Sequence, residues 1–134
     1  MRRIWTGGLL IVAASLPSAG CGHAATAPAD NTVEVCRQVQ GTITRYTTDA
    51  PEFVTVNASV QRGYKGTDDP ADVRAAFAAY FRAYGKALRP LAEKATRPEL
   101  KTALTKLADA YGRGDADSNA LSTVLSLCPQ PTSR

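Results

Sequence analysis

The sequence predicts an all-α fold, an up-down four-helix bundle whose first helix is kinked at Pro51. Three observations carry that expectation. Apolar residues recur at intervals of three and four in four segments between Asn31 and Pro129, the spacing that gathers them on one face of a helix. Proline, glycine and capping residues stand between those segments, where helices start and stop. No stretch holds the sustained alternation of a half-buried strand, and "FVTVNASV", residues 53–60, is the one β-flavoured run.

The first segment opens at "DNTVEVC". Asn31 is its N-cap, with Glu34 three residues on in the capping-box position. Cys36, Val39, Ile43 and Tyr46 make one apolar face, and Phe53, Val56 and Val60 resume it beyond Pro51. The expectation there is a kinked long helix or two short ones. "RGYKGTDDP", residues 62–70, reads as a loop. The second segment has Asp69 as N-cap and Pro70 at its first position. Val73, Phe77, Tyr80, Phe81, Tyr84, Leu88 and Leu91 share one face of it, with Arg82, Lys86 and Arg89 opposite. Gly85 and Pro90 weaken this helix, with a bend near Pro90. The third begins at "TRPE", with Thr96 and Glu99 in the capping-box relation. Its inner stripe is Leu100, Leu104, Leu107 and Tyr111, and Gly112 and Gly114 end it. The fourth runs from Asp117, with Leu121, Val124, Leu125 and Cys128 on one face and Pro129 as its stop.

The N-terminus follows a different logic. "MRR" is a positive start, Ile4–Leu16 is an apolar run of 13 residues, and the small residues Ser18, Ala19 and Gly20 follow. That is the layout of a secretory signal, and the apolar run is too short to span a bilayer core of about 30 Å. Its last residues, "SAGC", resemble the lipobox of bacterial lipoproteins, with Ser18 standing where that family usually has leucine. The resemblance covers residues 1–21. It implies that the Cys21 thiol carries a diacylglyceryl group and becomes the mature N-terminus. With its Ala-rich helical remainder the chain resembles small lipoproteins of high-GC actinobacteria, a label that carries no assigned function and no catalytic motif. A competing reading stays open: "ATA" at 25–27 and "APA" at 27–29 are both A-x-A sites, and cleavage there would release a secreted soluble protein. The expected organisation is a signal peptide over 1–20, a flexible tether over 21–30, a helical domain over 31–129 and a disordered tail over 130–134.

Three cysteines, Cys21, Cys36 and Cys128, leave one over in an exported protein. Lipidation of Cys21 accounts for it and leaves Cys36 and Cys128 to pair. In an up-down bundle the start of the first helix lies beside the end of the last, and the periodicity turns both cysteines inward. The expected disulfide therefore closes the bundle.

Composition narrows the function classes. The chain is 44% hydrophobic and 21% charged, which is globular usage. Of 16 basic residues two, Arg2 and Arg3, lie in the leader, which leaves 14 against 12 acidic, too even a balance to expect nucleic acid. The single histidine, His23, falls in the tether, where no catalytic geometry is held. No triad or zinc set assembles from what remains, so neither enzymatic activity nor a cofactor or metal is expected. Asp68, Asp69 and Asp72 could ligate calcium, but they lack the spacing of a calcium loop, and helix capping explains Asp69 and Asp72. Phe77, Tyr80, Phe81 and Tyr84 either pack as core or line a pocket for an apolar ligand. Arg82, Lys86 and Arg89 are a solvated face or a contact with anionic lipid heads or a partner. The expectation is a non-enzymatic binding module held to the outer face of the cytoplasmic membrane by its lipid anchor. Its partner is an envelope protein or component, and a carrier of a small apolar ligand is the alternative.

Overall fold

The structure, a computed structural model, describes residues 28–129 of the 134. These hold five α-helices and no strand: α1 Thr32–Thr48, α2 Pro51–Tyr64, α3 Pro70–Lys94, α4 Pro98–Gly112 and α5 Ser118–Leu127. The β-flavoured run at 53–60 lies wholly inside α2. Its β-branched residues do not make a strand because Val56 is buried against the other helices, and packing outweighs a weak propensity.

The cap expected at Asp69 forms, and Asp117 caps the last helix. The Asp69 carboxylate accepts from the Ala71 N–H at 2.7 Å, with Pro70 opening α3, and the Asp117 carboxylate accepts from the Ala120 N–H at 2.8 Å. The two capping boxes do not. Glu34 pairs with Arg37 at 2.7 Å instead of turning back to the chain. Glu99 lies 3.5 Å from the Arg97 guanidinium. Asn31 and Thr96 bind each other: the Thr96 N–H donates to Asn31 Oδ1 at 3.0 Å, and the Asn31 N–H donates to Thr96 Oγ1 at 3.2 Å. Asn31 Nδ2 also donates to the Lys94 carbonyl at 2.7 Å. Two residues with local capping chemistry thus tie the start of α1 to the α3–α4 turn.

The kink expected at Pro51 is a full break. Ala50 is extended, as a residue before proline prefers, and Pro51 opens a new helix at its first position. Asp49 and Ala50 both donate their N–H to the Arg45 carbonyl, which finishes α1. Within α3 the expected weak points do not interrupt the helix. Pro90 is exposed, so the hydrogen bond it lacks falls on the solvent side. Gly85 is buried at the α3–α4 crossing. A Cβ there would stand 2.6 Å from the Gly112 nitrogen and 2.7 Å from the Ala108 carbonyl oxygen, so glycine is what lets the two backbones meet.

Helix α3 is central and packs on α4, α2 and α1, while α5 packs on α4. The contacts along α3 run in one order. Asn31 sits at Lys94, Tyr46 at Ala83 and Gly63 beside Val73, so α1 and α2 together run antiparallel to it. On its other side Arg89 meets Asp109 and Ala78 meets Gly114, so α4 is antiparallel as well. The core lies between these helices around Val35, Val39, Leu88, Leu100, Leu104 and Leu107, all essentially without exposure. Cys36 and Cys128 are disulfide-bonded with their Cα atoms 5.3 Å apart, which fastens the residue after α5 to α1. No helix among the described residues is long and apolar enough to cross a membrane.

Candidate functional site

The aromatic residues singled out on α3 divide. Tyr80 and Tyr84 are buried and Phe81 is half-buried, whereas Phe77 is 40% exposed. The buried members join two tyrosines that the α3 stripe alone does not bring in. Tyr46 of α1 stacks on Tyr84 with ring centres 4.7 Å apart and planes 2° from parallel. Tyr111 of α4 lies 5.0 Å from both Tyr84 and Phe81. Tyr80 stands edge-on to Tyr46 and Tyr84 at 6.1 Å. These offset and edge contacts are the arrangements aromatic quadrupoles favour, and they fill the interior where α1, α3 and α4 meet.

The hydroxyls of this cluster differ in their partners. The Tyr80 O–H donates to the Tyr46 carbonyl at 2.8 Å, and the Tyr46 O–H donates to the Ala83 carbonyl at 3.1 Å. The Tyr84 hydroxyl is buried with no hydrogen-bond partner. Burial pushes the Tyr111 phenol up to about 12 and holds Tyr84, Tyr46 and Tyr80 above the ordinary tyrosine value as well. All four are neutral at physiological pH and act as packing groups with a polar tip.

The basic face is less uniform than the sequence implies. Arg82 and Lys86 are exposed, but Arg89 is held by Asp109 at 2.7 Å across the α3–α4 crossing. The acidic loop divides too. Asp68 pairs with Arg62 at 2.9 Å and Asp69 caps α3. The described residues contain no histidine, both of their cysteines are in the disulfide, and no group of three or more metal-ligating side chains gathers among them. Cys21 and His23 lie outside the described residues.

The described residues leave several open apolar grooves, and two of them are of a size to hold a ligand or a partner's side chain. One, of about 550 Å³, runs between α4 and α5 and is walled by Pro98, Ala103, Lys106, Ala120 and Leu127. The other, of about 470 Å³, lies where the end of α2 meets the start of α3. It is lined by Val60, Gly63, Val73 and Phe77 together with Asp68 and Arg74. Tyr64 also lines it and is 85% exposed. Sequence reading places Tyr64 in a loop and gives it no role; it is the last residue of α2, in register with Phe53 and Val60, and it stands exposed because it falls at the helix end. No protein-family model, curated protein or solved structure matches this chain.

Proposed function

We propose that the mature chain is a lipid-tethered extracytoplasmic module of the cell envelope that binds a partner through its surface and performs no chemistry of its own. The observation that carries this reading is the Cys36–Cys128 disulfide. It uses two of the three cysteines and leaves Cys21, in the lipobox-like "SAGC", as the one available for acylation. A disulfide also suits an oxidising, exported compartment. In this reading the body is an up-down four-helix bundle in which α1 and α2 share one column, α3 and α4 follow antiparallel, and α5 returns to the start of α1 through the disulfide. Residues 21–30 are the tether. The stacked tyrosine core favours a surface binder over a carrier, because the interior of the α3 stripe is occupied by the protein's own rings.

Fractionation of cells expressing the full chain tests the tether. Wild-type protein is expected in the membrane fraction and released only by detergent. Cys21→Ala is expected to shift it to the soluble fraction with the disulfide intact. Wild-type protein found soluble, with an N-terminus generated at "ATA" or "APA", would replace the tethered module by a secreted one.

A further inference from the structure

We propose that the groove between α4 and α5 is the seat of the chain's own N-terminal segment, residues 22–28, laid along it as extended chain. Four observations at this end of the molecule lead there.

The first is where that segment meets the body. The Ala29 carbonyl accepts from the Thr96 hydroxyl at 3.2 Å, and the Asn31 N–H donates to Thr96 Oγ1 at 3.2 Å. Thr96 stands two residues before Pro98, which lines the groove. The segment is therefore pinned at a residue at most about 7 Å from the groove's end.

The second is length. On α4 the groove runs from Pro98 to Lys106, about 12 Å of helix. With the approach from Thr96, covering it takes about 19 Å. From Ala29 back to Cys21 an extended chain spans about 28 Å. The segment is long enough to run the whole groove, with about 9 Å left over before Cys21.

The third is chemistry. Pro98, Ala103, Ala120 and Leu127 give the groove an apolar lining of mostly small side chains. Residues 24–28 read Ala-Ala-Thr-Ala-Pro, which is small and apolar in turn. Alanine and proline surrender no side-chain rotamers when they are fixed, so seating them costs less than seating long side chains.

The fourth is the state of the seam itself. Helix α5 packs on α4, yet Val124 is its one buried residue, and Ala120 and Leu127 stay half-buried at the groove. Chain laid over them removes that apolar surface from water. The other end of the chain fits less well. Cys128 is bonded to Cys36, so the chain leaves α5 against α1, and residues 130–134, Gln-Pro-Thr-Ser-Arg, are polar.

This inference rests on the tethered reading given above, because a chain cut at either A-x-A site loses most or all of residues 22–28. It adds a spacing to that reading. With the segment seated, the body is held within about 9 Å of its lipidated cysteine instead of up to about 28 Å.

Photo-crosslinking of the full chain in intact cells tests the proposal. Lys106→p-benzoylphenylalanine and Thr123→p-benzoylphenylalanine put a reporter on the α4 and α5 walls of the groove, both at exposed positions. Lys86→p-benzoylphenylalanine is the control. It is exposed, lies outside the groove and is as many positions from Thr96 along the chain as Lys106 is, so a segment with no preferred seat reaches both. The groove reporters are expected to link to residues 22–28 of their own chain, read by peptide mass spectrometry, at about ten times the control's yield. Ala25→Asp combined with Ala27→Asp is expected to reduce that product about tenfold, because a carboxylate is poorly accommodated against an apolar lining. The intact mass of the same sample separates the two readings. A chain that begins at Cys21 but links equally from positions 86, 106 and 123 would overturn the seat and leave the tether standing. So would an undiminished product in the double variant, or groove links to a second copy, a different protein or lipid. A chain that begins at Pro28 or Asp30 would overturn the tether and the seat together.

Discussion

Tyr84 and Tyr80 sit one turn apart on the same helix, and their hydroxyls have opposite fates. Tyr80 donates to a buried carbonyl, and Tyr84 is buried without a partner. A buried hydroxyl left unpaired costs about 1–3 kcal/mol, whereas a satisfied one contributes about 1 kcal/mol. Tyr84→Phe is therefore expected to leave the melting temperature unchanged or raise it, and Tyr80→Phe to lower it by several degrees, both read by circular dichroism. The same burial sets the alkaline limit. Folded-state phenols titrate above the ordinary value of 10, Tyr111 at about 12, so the folded state holds their protons more tightly than the unfolded chain does. Their contribution to stability is complete below pH 10 and is lost as pH rises from 10 through 12. In a Tyr64→Phe variant, which leaves only the four clustered phenols, phenolate absorbance is expected to appear together with loss of helix in that window; ionisation at pH 10 with the fold intact would show the cluster to be open. At this scale the sequence gives the inward stripe of α3 well from Tyr80 onward. It misplaces Phe77 because period alone says which way a side chain points, not whether a neighbouring helix extends far enough to cover it.

Helices are legible where their signals are local. Asp69 with Pro70 and Asp117 cap as their sequence context indicates, since a capping bond joins residues two or three apart. The capping boxes at Asn31–Glu34 and Thr96–Glu99 do not form because Asn31 and Thr96, 65 residues apart, satisfy each other. No local pattern carries that exchange. Gly85 makes the same point about packing. By propensity it is a weak spot, and Gly85→Ala would favour the isolated helix by about 1 kcal/mol. In the bundle the added Cβ would meet backbone atoms of Gly112 and Ala108 at 2.6 and 2.7 Å, and backbone cannot swing aside as a side chain can. Forcing α3 and α4 apart costs about 1–3 kcal/mol. Gly85→Ala is thus expected to lower the midpoint of denaturant unfolding, and a gain in stability would show that the crossing is looser than described.

Across the whole molecule, the disulfide is the one covalent link between the two ends of the chain's helical part, and it spans 92 positions. Chain-entropy arguments give about 4–5 kcal/mol for a loop that long, as an upper figure. Against a typical total of about 5–15 kcal/mol, that is a large share. The Cys36→Ser, Cys128→Ser double variant is expected to lose much of its thermal stability, with α5 the first element to exchange amide hydrogens, since α5 packs on α4 and is held to α1 by the disulfide. An unchanged melting temperature would show that packing alone closes the bundle. The helical class and the cysteine pair are legible from periodicity and from counting thiols. The groove at the α2–α3 junction is not, because it arises where two helix ends meet, and Tyr64 and Phe77, 13 residues apart along the chain, come to line it together only through the turn between them.

The central claim, that a disulfide-closed helical module is held to a membrane by Cys21, is tested most directly by the intact mass of the mature protein taken from its own membranes and denatured without reduction. The account predicts a chain beginning at Cys21, heavier by its lipid and lighter by the two hydrogens lost to the Cys36–Cys128 bond. A chain beginning between Thr26 and Asp30 with no lipid would contradict it.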